Sequence, residues 1–349
     1  MSAVPQFWKT SLEDVRACVE DVKKGTVKML CRSPGGREVY LVSYGKDNDL
    51  HRTANRSSAL GAADESCYAN RSSAGYRPTL LIVGCIHGGE FEGTAAILNL
   101  ISLLETGRDL AGAQQPELSA LAEQVNWRLI PIATPDGRSH VPFDSLVGMT
   151  FEQLRYYNQG TWLDGSLCGW PDCKKIHPVK GHVQYLGGYF NDNGVNLMHD
   201  DFFGNMAAET NALLRVTEEC APDFAVLLHG GADTVSCMLR PAYAPSSIKR
   251  EVGAVEERML DCCEKAGLPY RREPDDCGEE GTPPASFNLI SAMYQLCGAP
   301  CVTYESNQGL GFGEVRLTHE QIYRQHMLLF ACLCRHVLQK YKMLGGDAD

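Results

Sequence analysis

The chain lacks several features that would assign it to a class at once. Nowhere in its 349 residues is there a run approaching the roughly 18 apolar residues of a membrane-spanning helix. The opening stretch, MSAVPQFWKTSLEDVRACVEDVKKG, has no basic segment followed by an apolar core, so the mature protein is expected to start near Met1 and to stay in the cytoplasm, away from membranes. Positive charge is in deficit: 32 basic against 43 acidic residues give a formal charge of −11, which argues against broad contact with phosphate backbones and excludes nucleic acid as an expected partner. An even cysteine count is also missing. Fifteen cysteines cannot all pair within one chain, and with no secretion signal the scattered Cys85, Cys297, Cys301, Cys332 and Cys334 read as small buried hydrophobes in a reducing compartment. One group, Cys168, Cys173, His177 and His182, offers four possible ligands for a second metal, but its gaps match no common zinc finger and it is left outside the site.

What is present is a chain with 44% hydrophobic residues, enough for a substantial core. Residues 12–25 read as a short helix, and Thr26 to Cys31 with Arg37 to Tyr44 as a strand pair around a Ser-Pro-Gly-Gly turn. Residues 45–77 are polar and rich in Ser, Ala and Asn, and read as a long surface loop or mobile insertion in a single domain covering residues 1–349. The run Leu80-Leu-Ile-Val83 is a buried strand, ended by glycines, after which His87 and Glu90 fall where a strand hands over to a helix. Further strands are expected at Val125 to Ile132, at Asp223 to His229, and at Pro300 to Tyr304 with Glu305 at its end. Helices are expected over Glu117 to Glu123, Met206 to Cys220, Pro245 to Ala266, Phe287 to Cys297 and Thr318 to Lys342, whereas Phe143 to Phe190 shows little periodicity.

Three separate strands therefore end on residues able to bind or serve a metal: His87 with Glu90, His229, and Glu305. Two imidazoles and one carboxylate leave the fourth position of tetrahedral zinc open, which distinguishes a catalytic site from a closed structural one. Taken with Thr134-Pro-Asp-Gly137, Asn193-Gly-Val-Asn-Leu197 and Thr303-Tyr-Glu305, in that order, the chain resembles the zinc metallocarboxypeptidase family, and its His-Gly-Gly-Glu form looks closer to the murein-peptide amidase and deacylase-like branches. The resemblance implies an α/β fold in one domain, a mixed twisted sheet of about eight strands with helices on both faces. It implies zinc on His87, Glu90 and His229, a zinc-activated water, and Glu305 as the general base that passes the proton to the leaving amine.

The departures from that pattern bear on substrate. Where the family carries Asn-Arg to grip a substrate's terminal carboxylate, this chain has Met198 and His199; where the amidase-like branch has an Arg before a conserved Asn, it has Tyr189 before Phe190-Asn191. Tyr189, Asn191 and His199 are therefore expected to line the substrate site, with Arg138, Arg155 or Arg240 as alternative cations. The aspartate that orients a zinc-bound histidine is Asn196 here. No counterpart of the family's late substrate-site tyrosine falls in Gly278 to Pro284. The expected function is zinc-dependent hydrolysis of a peptide or amide bond in a small peptide. The alternatives are an N-acyl amino acid deacylase of the desuccinylase type and a non-catalytic binding module that keeps the metal.

Overall fold

The computed structural model describes residues 3–73, 75–231, 235–273, 286–313 and 315–345. Met1 and the stretch Gly278 to Pro284 lie outside the described residues. Its frame is a seven-stranded mixed sheet in the order β1-β2-β4-β3-β7-β9-β8. The strands are β1 (Thr26–Arg32), β2 (Glu38–Tyr44), β3 (Thr79–Gly84), β4 (Asn126–Ile130), β7 (Phe224–Gly230), β8 (Cys237–Leu239) and β9 (Cys301–Ser306), while β5 (Gly160–Trp162) and β6 (Val183–Leu186) form a separate antiparallel ribbon. The central four, β4-β3-β7-β9, run parallel, and β1, β2 and β8 are added antiparallel at the two edges.

Parallel strands need cover on both faces, and in β3 and most of β7 the sequence supplies it by carrying apolar residues at successive rather than alternate positions. In β3, Leu80 and Ile82 face one core with Val226 and Leu228, and Leu81 and Val83 face the other with Ala225 and Leu227. Residues of the helices Glu92–Thr106, Ser246–Ala266 and His319–Gly345 fill the first core, and residues of Ala208–Cys220 and Leu289–Cys297 fill the second. Gly93 lets the first of these helices close on the sheet, since a Cβ there would lie 2.5 Å from the Leu228 Cβ.

Segment 45–77, expected as a loop, contains a helix, Arg56–Gly61, capped by the Asn55 side chain on the Ser58 amide. Leu50, Ala59, Tyr68 and Ala69 pack with Ala221 into a small core of their own. Arg71 and Tyr76 then fasten the segment to Asp223, at 3.1 and 2.7 Å, at the entry to β7. A few apolar residues in a polar stretch, together with one buried carboxylate, are enough to order it. The Thr134-Pro-Asp-Gly137 turn is the start of a short helix, Pro135–Ser139. Asp136 there is fully buried and accepts from Ser33 Oγ, the Gly35 amide, Arg37 and the Asp192 amide, so this motif ties three chain segments together beside the carboxyl ends of the parallel strands. Among the described residues no helix is long and apolar enough to cross a membrane.

Candidate metal centre

The carboxyl ends of β3, β7 and β9 converge, as they do around ligand sites of open α/β sheets. After β3 the chain passes through Cys85 in a left-handed conformation (φ 49°) and delivers His87 and Glu90 around a pair of glycines. Those glycines are required by space: a Cβ on Gly88 would lie 1.9 Å from the Gly137 carbonyl carbon, and one on Gly89 1.5 Å from the Asn158 Oδ1. His229 sits near the end of β7, paired in register with Glu305 of β9.

Ligand atoms of His87, Glu90 and His229 lie within 4.8 Å of one another, and all three side chains are buried. The Glu90 carboxylate turns one oxygen to His87 Nδ1 (2.8 Å) and the other to His229 Nδ1 (2.9 Å). Burial alone would raise the Glu90 carboxyl, but the two imidazoles outweigh it and hold it at about 2, so it is anionic. Burial likewise lowers His87, whereas at His229 the Glu90 charge overcomes burial and raises it. Among the described residues His229 Nε2 is buried without a hydrogen-bond partner. Two imidazole nitrogens and one carboxylate, converging and shielded from water, are the donor set of an open zinc site, and the residues fit that metal.

Around this trio the structure places supports of two kinds. The ring of Tyr189 stacks on that of His87, 3.9 Å between centroids and 19° between planes. Asn196 Oδ1 lies 3.2 Å from His87 Nε2, and the Asn196 amide donates to His177 Nε2 at 2.8 Å, so His177 fixes the residue that orients His87. Glu305 is raised to about 7, chiefly by burial and further by Glu90, with His229 and Lys174 pulling the other way. Among the described residues it forms no ion pair, which separates it from a salt-bridged strand end.

Of the residues expected to line the substrate site, Tyr189 is brought against a metal ligand, and His199 lies close enough to feel the charges of His87 and His229. His199 is held down at about 4 by burial and by the charges of Lys174 and the nearby imidazoles, so it is a neutral ring at pH 7. Asn191 is not brought there: it is fully buried, its Oδ1 accepts from the Asn193 and Val195 amides, and its Nδ2 donates to Glu209. It shapes the turn that carries Asn196. Arg138 is spent on the scaffold, donating to Thr10 and Val141 carbonyls and to Asp144, and Arg240 pairs with Glu256 at 2.5 Å. Cys168 and Cys173 are packed with Val179 and Phe190, and among the described residues they join no metal-ligand group. Sequence reasoning weighed His177 only as a ligand for a second metal, not as a support for Asn196, and passed over Lys174, whose only signal was its place in the His- and Cys-bearing loop between Cys168 and His182.

A mixed α/β sheet with a His–Glu–His trio at the carboxyl ends of its parallel strands has the donor set of a zinc-dependent hydrolase. Residues 21–247 match the family described as zinc carboxypeptidase, and the chain belongs to that family. Its metal is zinc, and it is a zinc peptidase-like hydrolase. A search of curated protein sequences finds no match. Among solved structures, the fold is similar to a metallo-carboxypeptidase from Burkholderia cenocepacia (TM-score 0.59, 16% identity, 94% of this chain and 69% of that one). It is similar also to a metallo-carboxypeptidase from Pseudomonas aeruginosa solved in complex with (2-guanidinoethylmercapto)succinic acid (0.55, 15%, 93% and 68%). A third is bovine thrombin-activatable fibrinolysis inhibitor in complex with tick carboxypeptidase inhibitor (0.56, 11%, 96% and 100%). At these identities the likeness speaks for the fold.

Proposed function

We propose that the protein hydrolyses a peptide or amide bond in a small substrate, with the metal on His87, Glu90 and His229 and with Glu305 as the base, the chain acting as one catalytic domain. The observation that carries this reading is the placement of Glu305: half-buried, without an ion pair among the described residues, and in register beside the ligand His229. Zinc bound there supplies Lewis-acid polarisation of the scissile carbonyl and a water of lowered pKa. Desolvation raises the Glu305 carboxyl, so that it both accepts a proton and releases it again. Glu305 therefore takes a proton from the water whose oxygen adds to the carbonyl carbon, and gives it to the nitrogen as the carbon–nitrogen bond breaks. Tyr189 walls the centre on the His87 side, and neutral His199 is able to donate or accept a hydrogen bond to the substrate.

Because Arg138 and Arg240 are committed to the scaffold, neither supplies a planar fork for a peptide's free carboxylate. The test is therefore a panel of C-terminal dipeptides, their amides, γ-glutamyl-linked peptides and N-acyl amino acids. Zinc-loaded protein should carry about one zinc per chain and turn over at least one class, and His87→Ala and His229→Ala should each lose both metal and turnover. Zinc with no turnover on any class would favour the binding-module reading, and full metal retention in both variants would overturn the site.

A further inference from the structure

The helices Ser246–Ala266 and His319–Gly345, which pack together in the first core, bring two cysteines into contact. The Cys332 thiol points at Cys262 with 3.7 Å between the sulfurs, although 70 residues separate them in the chain. Their access to solvent differs. Cys332 is fully buried, whereas Cys262 is half-buried and follows the exposed Asp261. Cys262 also meets Arg335, which stands three residues after Cys332 and so on the same face of its helix. Arg335 Nη1 lies 3.9 Å from the Cys262 sulfur, while its other terminal nitrogen holds Glu117. The neighbouring Cys263 and Cys334 are both fully buried in the first core. A second pair, Cys297 and Cys301, has the same 3.7 Å separation, but both of its residues are shut in the other core, out of reach of a dissolved oxidant.

We propose that Cys262 and Cys332 are a redox-modification site, closed into a reversible disulfide between the two helices by a hydroperoxide. The Cys262 sulfur attacks one peroxide oxygen, the O–O bond breaks, and the other oxygen leaves with the thiol proton as an alcohol, or as water from hydrogen peroxide, so that Cys262 becomes a sulfenic acid. The Cys332 sulfur then attacks the Cys262 sulfur, the S–O bond breaks, and the hydroxyl leaves with the Cys332 proton as water. Two thiols are thereby oxidised by two electrons and one peroxide is reduced. Burial divides the roles: desolvation pushes the Cys332 thiol up, so it is the resolving partner, and Arg335 supplies a donor to the sulfur that reacts first. A disulfide holds its sulfurs about 2.05 Å apart, so closure brings them nearer by about 1.7 Å, a distance that rotation of the two side chains can supply. The bond is transient wherever thiol reductants are present. The metal ligands His87, Glu90 and His229 include no cysteine, so the site is independent of the hydrolase reading.

The test is a map of thiols and disulfides. Zinc-loaded wild type is treated with stoichiometric hydrogen peroxide, free thiols are blocked with iodoacetamide, and tryptic peptides are read by mass spectrometry. The peptide Met259 to Lys265 should appear joined to Gln325 to Arg335, with fragment ions assigning the bond to Cys262 and Cys332 rather than to Cys263 or Cys334, and a phosphine reductant should release it. Cys332→Ser should lose the link and leave Cys262 as a sulfenic acid that dimedone labels. Cys262→Ser should lose both the link and the label, and Cys297→Ser should behave as wild type. The wild-type map decides by itself if a variant fails to fold. Wild type that consumes other cysteines while Cys262 and Cys332 stay free overturns the proposal, as does a bond that runs through Cys263 or Cys334, or a Cys262 that proceeds to sulfinic acid with Cys332 still a thiol.

Discussion

His229 and Glu305 stand opposite each other in register on the parallel strands β7 and β9, one residue before each strand ends. The next pair in the ladder, Gly230 and Ser306, is tightened by Ser306 Oγ donating to the His229 carbonyl at 3.1 Å. A metal ligand and a candidate base are thereby held on one rigid platform, and their separation is set by sheet geometry rather than by loop conformation.

Replacing Glu305 by glutamine tests what that platform is for. The amide keeps the shape and a hydrogen-bonding capacity but cannot accept the proton. Zinc content of Glu305→Gln, read by elemental analysis, should match wild type, while turnover on the best substrate of the panel falls roughly 100-fold or more. A near-normal rate would leave Glu305 as a structural strand end.

Asn196 offers a test of the support beneath the metal ligands. Its Oδ1 meets His87 Nε2 at 3.2 Å without the charge an aspartate would bring, and His177 pins its backbone. Groups that orient a ligating histidine typically change metal affinity about 10- to 100-fold. Asn196→Asp should tighten zinc in competition with a chromogenic chelator, and Asn196→Ala should weaken it, with melting curves confirming that both fold. Equal affinities in all three proteins would show that this contact does not tune the ligand.

Two metal ligands and the candidate base are readable in the sequence because they close buried, largely apolar runs. Leu80 to Val83, Phe224 to Leu228 and Cys301 to Tyr304 are buried on both faces, so their boundaries are sharp, and His87, His229 and Glu305 fall just at or beyond them. The strand β8 escapes such reading, since three residues carry no period and it exists through pairing with β9. His177 lies in a stretch without periodicity, and its role comes from where Cys173 and Phe190 pack. Asn191 shows the converse: its motif is recognisable, but whether its side chain faces substrate or backbone depends on the turn at Asn193 and on Glu209. Arg138 is a similar case, with its fate decided by Thr10, which is remote in sequence.

Glu209 gives a pH-dependent prediction away from the metal. It opens the helix Ala208–Cys220, is fully buried, and receives Asn191 Nδ2 at 3.3 Å. Burial is the main cause that raises it from 4.5 to about 7, with Asp136 and Asp200 adding to the shift and the Asn191 contact offsetting part of it. Below about pH 4.5 both native and unfolded chains hold this proton and the native state suffers no penalty from it. Between there and about pH 7 the unfolded carboxyl has ionised while the native one remains protonated, so the native state binds more protons and stability falls as pH rises. Above pH 7 both are ionised and the contribution is flat. The slope within the window is bounded at about 1.4 kcal/mol per pH unit, the value of one proton. Glu209→Gln keeps the shape and cannot titrate, so urea midpoints collected from pH 5 to 8 at fixed zinc loading should show wild type losing stability relative to the variant as pH rises to 7, with no further change beyond. Parallel curves across the whole range would mean that the carboxyl of Glu209 titrates alike in the folded and unfolded chains.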